Sequence, residues 1–387
     1  MQAIINGEIW TMHGLRLSRG AVLIKNGKII AVGKNITIPS GSDIYDAAGM
    51  IVMPGFIDAH THLGILEEVF EEGDDLNEIT DPVTPHLRAI DAINPMDIGF
   101  QDALAAGITT VVTGPGSANV LGGEMVAMKT CGTVVDDMII SSPAGLKAAL
   151  GENPKRVYGP KKKTPITRMA SAALLRDALA RGQQYLERQT RMLRGEADPP
   201  DLDLKMESIA KVLRREIPLR VHAHRADDIM TALRIGNEFN LRLVIEHCTE
   251  GHLIAERLAA AGVPVVVGPV LINRSKVELM GRSLKTAAVL ASHGVSFAIM
   301  TDHPVVPIQY LPISAGLTTR GGLTEEQALA AITIGAARVL GLENRIGSIA
   351  PGKDGDIIVL SGHPFYIGTV VNRVYINGNI IDVNKLL

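Results

Sequence analysis

Cysteine is almost missing from this chain: Cys131 and Cys248 are the only two in 387 residues, and their positions form no framework pattern. That excludes a small secreted scaffold stapled by disulfides. Aromatic residues make up 3% of the sequence, with one tryptophan, and no Lys/Arg-rich stretch alternates with them. A surface on which nucleic-acid bases stack is therefore not expected. The formal net charge is only -3, so the chain has no strong pull toward polyanions. Its longest apolar stretch, Ala259 to Ile272, is broken by Gly262, Pro264, Gly268 and Pro269. It falls short of the roughly 20 residues that cross a bilayer. The first residues show no basic segment followed by an apolar run and a small-residue cleavage site, which makes the cytoplasm the expected compartment.

What is present is the composition of a globular protein, 46% hydrophobic and 20% charged, long enough for one large core and an accessory unit. Residues 1–52 read as short strands: Ala3–Ile5, Ala21–Ile24 and Ile29–Val32, with turns expected at Asn6-Gly7 and Asn26-Gly27. The same grammar returns in Asp356–Leu360, Val370–Ile376, a turn at Asn377-Gly378, and Ile380–Val383. The two ends, 1–52 and 348–387, are expected to build one small β-sandwich, with Pro54-Gly55 and Pro351-Gly352 at its junctions. Between them, residues 53–347 alternate strands with helices, the grammar of parallel βαβ units. The spacing predicts strands at Gly107–Gly114, Leu219–His224, Leu241–His247, Val263–Val267 and Val295–Thr301, each approached by a helix. The expected fold is thus α/β, a closed (β/α)₈ TIM-like barrel. No Gly-x-Gly-x-x-Gly follows a first strand, which weighs against an open dinucleotide-binding sheet. Residues 151–216 read as a Pro/Lys-rich loop and two helices, Ile166–Leu193 and Leu204–Arg215, with the fourth barrel strand expected nearby. In the loop, Arg156 and Lys161 to Lys163 are weighed as an attraction for an anionic substrate against the more common solvated charge run.

The chemistry-bearing stretch is Met53-Pro-Gly-Phe-Ile-Asp-Ala-His-Thr-His62, an apolar run ending in two histidines spaced to face one side of a strand. Two neutral imidazoles converging there supply half of a site for a divalent metal such as zinc. A bare His-x-His is more often packing or surface. Here, however, His222, His247 and Asp302 each stand at the end of their own apolar run, and barrel enzymes carry their chemistry at strand ends.

These residues resemble the amidohydrolase superfamily of metal-dependent hydrolases, and within it the imidazolonepropionase-like branch. The resemblance rests on Pro54-Gly-Phe-Ile-Asp-Ala-His-Thr-His62, Val221-His-Ala-His224, Ile245-Glu-His247, Thr301-Asp302 and the tail Gly347–Leu360. It implies His60 and His62 as ligands of a first metal, with Asp302 as a further ligand and general base. His222 would be the strand-five ligand, with His224 as alternate. His247 would bind a second metal or orient substrate and assist as a catalytic group. A bridging lysine, in members with two ions, falls on Lys147, with Lys129 and Glu124 also open. Asp58 and Glu246 are expected to face away from their immediate neighbours, divided between packing against outer helices and a role behind the ligands. The segment Leu63–Asn77 lacks the arginine- and tyrosine-containing pattern associated with imidazolonepropionases themselves.

The implied cofactor is zinc, one ion or two, and the implied reaction is hydrolysis of an amide, peptide or cyclic-amide C–N bond by metal-activated water. Deamination of a ring amine is the second reading, although the residues three after His222 and His224 are Arg225 and Asp227 rather than the glutamate common in barrel deaminases. A non-catalytic scaffold of the same fold is the third. A small-molecule substrate and a homo-oligomer are expected as partners, nucleic acid and membrane are not. Specificity is expected in the loops after strands one, seven and eight, including Glu67–Pro85 and Pro304–Pro312.

Overall fold

The chain changes sheets at Gly55, where any side chain would fail: a Cβ there would sit 2.1 Å from the Thr109 hydroxyl. The computed structural model describes residues 1–67 and 74–382. Before Gly55 run β1 (Gln2–Trp10), β2 (Arg16–Lys25), β3 (Lys28–Gly33), β4 (Asp43–Asp46) and β5 (Ile51–Pro54). After it come eight barrel strands: β6 (Phe56–Thr61), β7 (Ile108–Thr113), β8 (Leu121–Lys129), β9 (Ile139–Ala149), β10 (Leu219–Ala223), β11 (Leu243–His247), β12 (Val265–Val267) and β13 (Phe297–Ile299). The chain then returns to the first sheet with β14 (Ile357–Leu360), β15 (Val371–Ile376) and β16 (Asn379–Ile381). Val383, expected in that last strand, lies outside the described residues.

The two chain ends meet where β14 runs antiparallel to β5, Ile357 opposite Pro54 and Leu360 opposite Ile51. Their buried faces share one cluster that includes Ile4, Val22, Ile24, Val52, Ile357 and Tyr375. Two of the three expected Asn-Gly turns form, and both central residues of each have positive φ: Asn26 and Gly27 at 50° and 77°, Asn377 and Gly378 at 49° and 72°. This is the hairpin turn that matches strand twist. The Asn6-Gly7 pair is instead a bulge inside a continuous β1, with register shifts on either side of Gly7 and φ of 61° at Asn6. β1 continues because β4 and β5 pair along its two halves. The two hairpin tips touch through Gly355, whose N–H donates to the Gly27 carbonyl and whose carbonyl accepts from Gly378. We expect Gly27→Ala to cost about 1–2 kcal/mol, from the left-handed backbone. A Cβ there would also press to 3.1 Å from the Asn377 carbonyl. A urea midpoint equal to that of the parent protein would show that this junction carries no stability.

The barrel departs from the expected eight parallel units in one place. β8 runs antiparallel to both β7 and β9. Only seven residues, 114–120, separate β7 from β8, too few for a helical crossover, and antiparallel neighbours need none. The fourth strand is β9, before Gly151, and not within residues 151–216. The two expected helices form, with Thr167 capping Arg168–Leu193 and Asp203 capping Leu204–Leu213, but the start of the expected loop is itself a helix, Glu152–Tyr158. Gly262 and Gly294, at φ 61° and 73°, follow the helices Ala255–Ala261 and Thr286–Ser292.

β13 and β6 close the barrel mostly without a strand ladder. The Asp58 carboxylate accepts hydrogen bonds from the Thr301 amide (3.1 Å) and hydroxyl (2.6 Å), and the His62 amide donates to the His303 carbonyl (2.9 Å). At the opposite end of β8, buried Lys129 pairs with Asp354 and Asp356, and Asp354 also takes Lys28 and Arg345. This charge cluster ties the barrel to the terminal sheet.

Candidate metal centre

β6 is buried along its whole length, and His60 within it and His62 just past its end both reach Asp302. Asp58 fixes that strand end to Thr301, which sets Asp302 beside the two histidines. Asp302 Oδ1 lies 3.2 Å from His60 Nε2 and 3.4 Å from His62 Nε2. Burial pushes the Asp58 carboxyl up to about 7, against the hydrogen bonds it receives from Thr301 and His60. Asp302 itself adopts a left-handed φ of 58°, and His247 one of 71°. Backbone in that region is costly for a non-glycine residue and clusters at functional sites.

The second group of donors is His222, His224 and His247, whose ring nitrogens lie within 4.8 Å of one another, as do the donor atoms of His60, His62 and Asp302. The rings of His222 and His247 are 4.1 Å apart and those of His60 and His247 5.6 Å, so the two groups adjoin. His222 and its alternate His224 are both brought in. Backbone carbonyls set the tautomers. His62 Nδ1 donates to Gly114 (2.8 Å) and His247 Nδ1 to Gly268 (3.1 Å). A carbonyl only accepts, so in the neutral ring Nε2 keeps its lone pair. His224 Nδ1 is anchored on the Thr249 hydroxyl at 2.7 Å. Burial holds His222 and His247 well below the usual imidazole value and takes His224 down to about 3. The Nε2 lone pairs of His62 and His247, with neighbouring imidazoles and the Asp302 carboxylate, are donors of the kind a divalent transition metal takes.

Beneath these donors lies a buried charge network. Glu246 Oε1 contacts His60 Nδ1 at 3.0 Å and Arg220 Nε at 2.8 Å, and Oε2 accepts from Lys147 Nζ at 2.7 Å. Arg220 also donates to the Ala59 carbonyl (2.7 Å). Burial would raise the Glu246 carboxyl, but the His60, Lys147 and Arg220 charges outweigh it and hold it well below the usual carboxylate range. Burial likewise lowers His60, and the Glu246 charge raises it further, leaving it above its ordinary value.

Of the two readings of Glu246, it stands behind the ligands rather than against the outer helices. Cross-strand partners put it level with His222 and put Lys147 level with Arg220, all directed inward. His247 reaches the same space because its positive φ breaks the alternation. Lys147 does approach the site, 3.4 Å from His60 Nε2. Lys129 does not, being at the far end of β8, and Glu124 is paired with Lys211 at 2.6 Å. The site opens into a cavity of about 490 Å³. Arg156 lines it, whereas Lys161 to Lys163 do not. Lining residues come from the loops after strands one, seven and eight, as expected, and also from the segments after strands two and four, through Ser117 in a loop and Asn153 in the helix Glu152–Tyr158. Of the first loop, residues 68–73 lie outside the described residues. Arg220, Asn153 and Glu278 were not singled out in the sequence. None of them stands in a motif or at a spacing that points to convergence.

The profile of the amidohydrolase family matches residues 51–381. The crystal structure of an amidohydrolase from Thermotoga maritima MSB8 superposes with a TM-score of 0.96 at 45% identity, covering 99% of this chain and 100% of that one. Amidohydrolase tasK of Hapsidospora irregularis is 30% identical over 386 residues, covering 93% of this chain but only 39% of that longer protein. An imidazolonepropionase of Porphyromonas gingivalis is 24% identical over 93% of this chain and 86% of its own.

Proposed function

We propose, since the chain belongs to the amidohydrolase family, that it hydrolyses an amide, peptide or cyclic-amide C–N bond in a small substrate carrying a carboxylate. The observation that carries this reading is the convergence of His60, His62 and Asp302 with His222, His224 and His247 on one cavity. Zinc is the cation the donor set suits best. Held there, a divalent cation lowers the pKa of water and polarises a carbonyl. The chain's own residues do the rest. Burial alone would raise Asp302, but the nearby His247 ring and the hydrogen bonds with His60 and His62 hold it well below the usual carboxylate range. At neutral pH it is therefore ionised and ready to accept the proton of attacking water at Oδ, then return it to the leaving nitrogen. His224 and His247, neutral and directed into the cavity, orient the carbonyl that is attacked.

Support for hydrolysis over ring deamination comes from the segment after His224. Arg225 and Asp227 pair with each other at 2.9 Å, and neither lines the cavity. No residue there can serve as the proton-handling carboxylate that such deaminases place three residues beyond the histidine.

The carboxylate specificity is read from charge. Among the described residues Asp302 is the only acidic side chain lining the cavity, whose lining also includes the cations Arg156 and Lys276. Lys276 is positioned by a hydrogen bond to Asn153 Oδ1 at 3.0 Å. Arg156→Met should raise KM about fivefold for a substrate with a free carboxylate, the worth of roughly 1 kcal/mol for a partly exposed pair. Its amidated analogue should bind as before and kcat should hold. Equal effects on both substrates would remove Arg156 from recognition.

The direct test is a screen of dipeptides, N-acyl amino acids and cyclic amides with metal-loaded and chelator-stripped protein. Hydrolysis only in the loaded form supports the reading, and ammonia released from a ring amine would replace it with deamination. In parallel, the double variant His60→Ala/His62→Ala should lose bound zinc while keeping its circular dichroism, because these residues sit at the catalytic rather than the stabilising end of the barrel. A full zinc complement in that variant would sink the assignment.

A further inference from the structure

Residues 74–85, which follow the first barrel strand, form no helix or strand, yet Leu76 and Asn77 among them line the cavity. Two other segments adjoin them in that lining. The loop 114–120 contributes Gly116 and Ala118, and the helix Glu152–Tyr158 contributes Arg156 and Val157. Backbone outside a ladder keeps its place only through the hydrogen bonds and packing it finds elsewhere.

One buried side chain joins all three segments. Asn119 donates from Nδ2 to the Glu78 carbonyl and to the Thr84 hydroxyl, both at 2.8 Å, and its Oδ1 accepts from the Tyr158 hydroxyl. Both N–H groups and the carbonyl of the amide are thus committed, which fixes the end that faces each partner. Tyr158 is 0% exposed, and burial pushes its phenol up to about 12, so the hydroxyl stays a donor. The same seam is tightened around Asn77, whose Oδ1 accepts from the Ala118 amide at 3.1 Å, while the Gly116 amide donates to the Leu76 carbonyl at 2.9 Å. A Cβ on Gly116 would stand 2.6 Å from the Asn77 side chain, so the approach is as close as glycine allows. Lys161, one of the cations weighed for an anionic substrate, donates instead to the Ile79 carbonyl at 3.2 Å.

Packing alone would be served by a phenylalanine at position 158. The hydroxyl is what ties the helix that carries Arg156 to the amide that holds the span 78–84. Neither Tyr158 nor Asn119 lines the cavity itself. We propose that Tyr158 and Asn119 are positioning residues, a strut that holds the residues 76–84 and the helix Glu152–Tyr158 in one fixed arrangement and so sets the affinity for substrate without touching it. The inference rests on the reading that substrate binds in this cavity beside Arg156. Loosening such a wall weakens binding of ground state and transition state alike, which raises KM and leaves kcat in place.

Two variants remove opposite ends of the strut, Tyr158→Phe at the helix and Thr84→Val in the loop, and each deletes a hydroxyl while keeping the size of the side chain. Hydrogen–deuterium exchange read by mass spectrometry should show faster uptake across residues 74–85 in both, with the barrel strands as protected as in the parent protein. KM should rise about fivefold, the scale of one buried hydrogen bond, with kcat and zinc content unchanged. A residue that only stabilises the fold would lower the melting temperature and the amount of active protein and would leave KM alone. Tyr158→Phe added to Asn119→Ala should raise KM no further than Asn119→Ala does, because the two act as one unit. Parental uptake in both variants would overturn the strut with or without a substrate in hand, and faster uptake at an unchanged KM would overturn its part in binding. A parent chain that hydrolyses no C–N bond would overturn the functional reading and leave the exchange measurement to decide the strut.

Discussion

Asp302→Asn is expected to lower turnover by about 10²–10⁴-fold, the contribution of a positioned proton acceptor, while zinc content stays near that of the parent protein. Asparagine is the informative replacement for two reasons. Asp302 has φ of 58°, a conformation asparagine tolerates far better than alanine, so the backbone that presents the side chain survives. An amide oxygen can also still approach His60 and His62, now 3.2 and 3.4 Å from the carboxylate, and can still face a cation. What it cannot do is accept the proton of attacking water. Turnover and zinc are to be measured on one preparation. Activity within about tenfold of the parent, with full zinc, would take the role of general base away from Asp302.

Glu246→Gln should lower the stability of the whole protein by about 3–5 kcal/mol, because removing one partner of a buried ion network strands the others. Arg220 and Lys147 are 0% and 1% exposed, and Glu246 is the acidic group facing both. The sign of the pH dependence follows from its carboxyl, which is held well below its ordinary value of 4.5. A carboxylate depressed by folding contributes stability that is present above the unfolded value and lost as pH falls toward the folded one. The difference between parent and variant should therefore be full near neutrality and shrink below pH 4.5. Urea unfolding at several pH values, with unchanged m-values as the check on two-state behaviour, measures it. A difference that is small at pH 7, or that grows on acidification, would show that water reaches this network.

Which parts of this molecule can be read without a structure depends on whether the cause is local. The hairpins at Asn26-Gly27 and Asn377-Gly378 were legible because each turn needs two residues with positive φ and those pairs supply them. Asn6-Gly7 offers the same chemistry yet forms a bulge, because strands from residues 43–46 and 51–54 pair with β1 on both sides of it. Local propensity permitted either outcome, and long-range pairing chose.

The sequence by itself determined the alternation of strands and helices, the joining of the two ends in one sheet, and the set His60, His62, His222, His247 and Asp302. Each of these follows from periodicity or from a residue type at a strand's end, and both act over a few residues. Only the tertiary structure decided that β8 runs backwards, that the fourth strand precedes Gly151, and that Lys147 rather than Lys129 approaches the histidines. It also decided that Glu246 points inward and that Glu278 meets His224. These depend on pairing between segments up to about a hundred residues apart and on one positive φ at His247. No spacing records such facts, because the free energy that selects them is released only when the strands close around the shared charges.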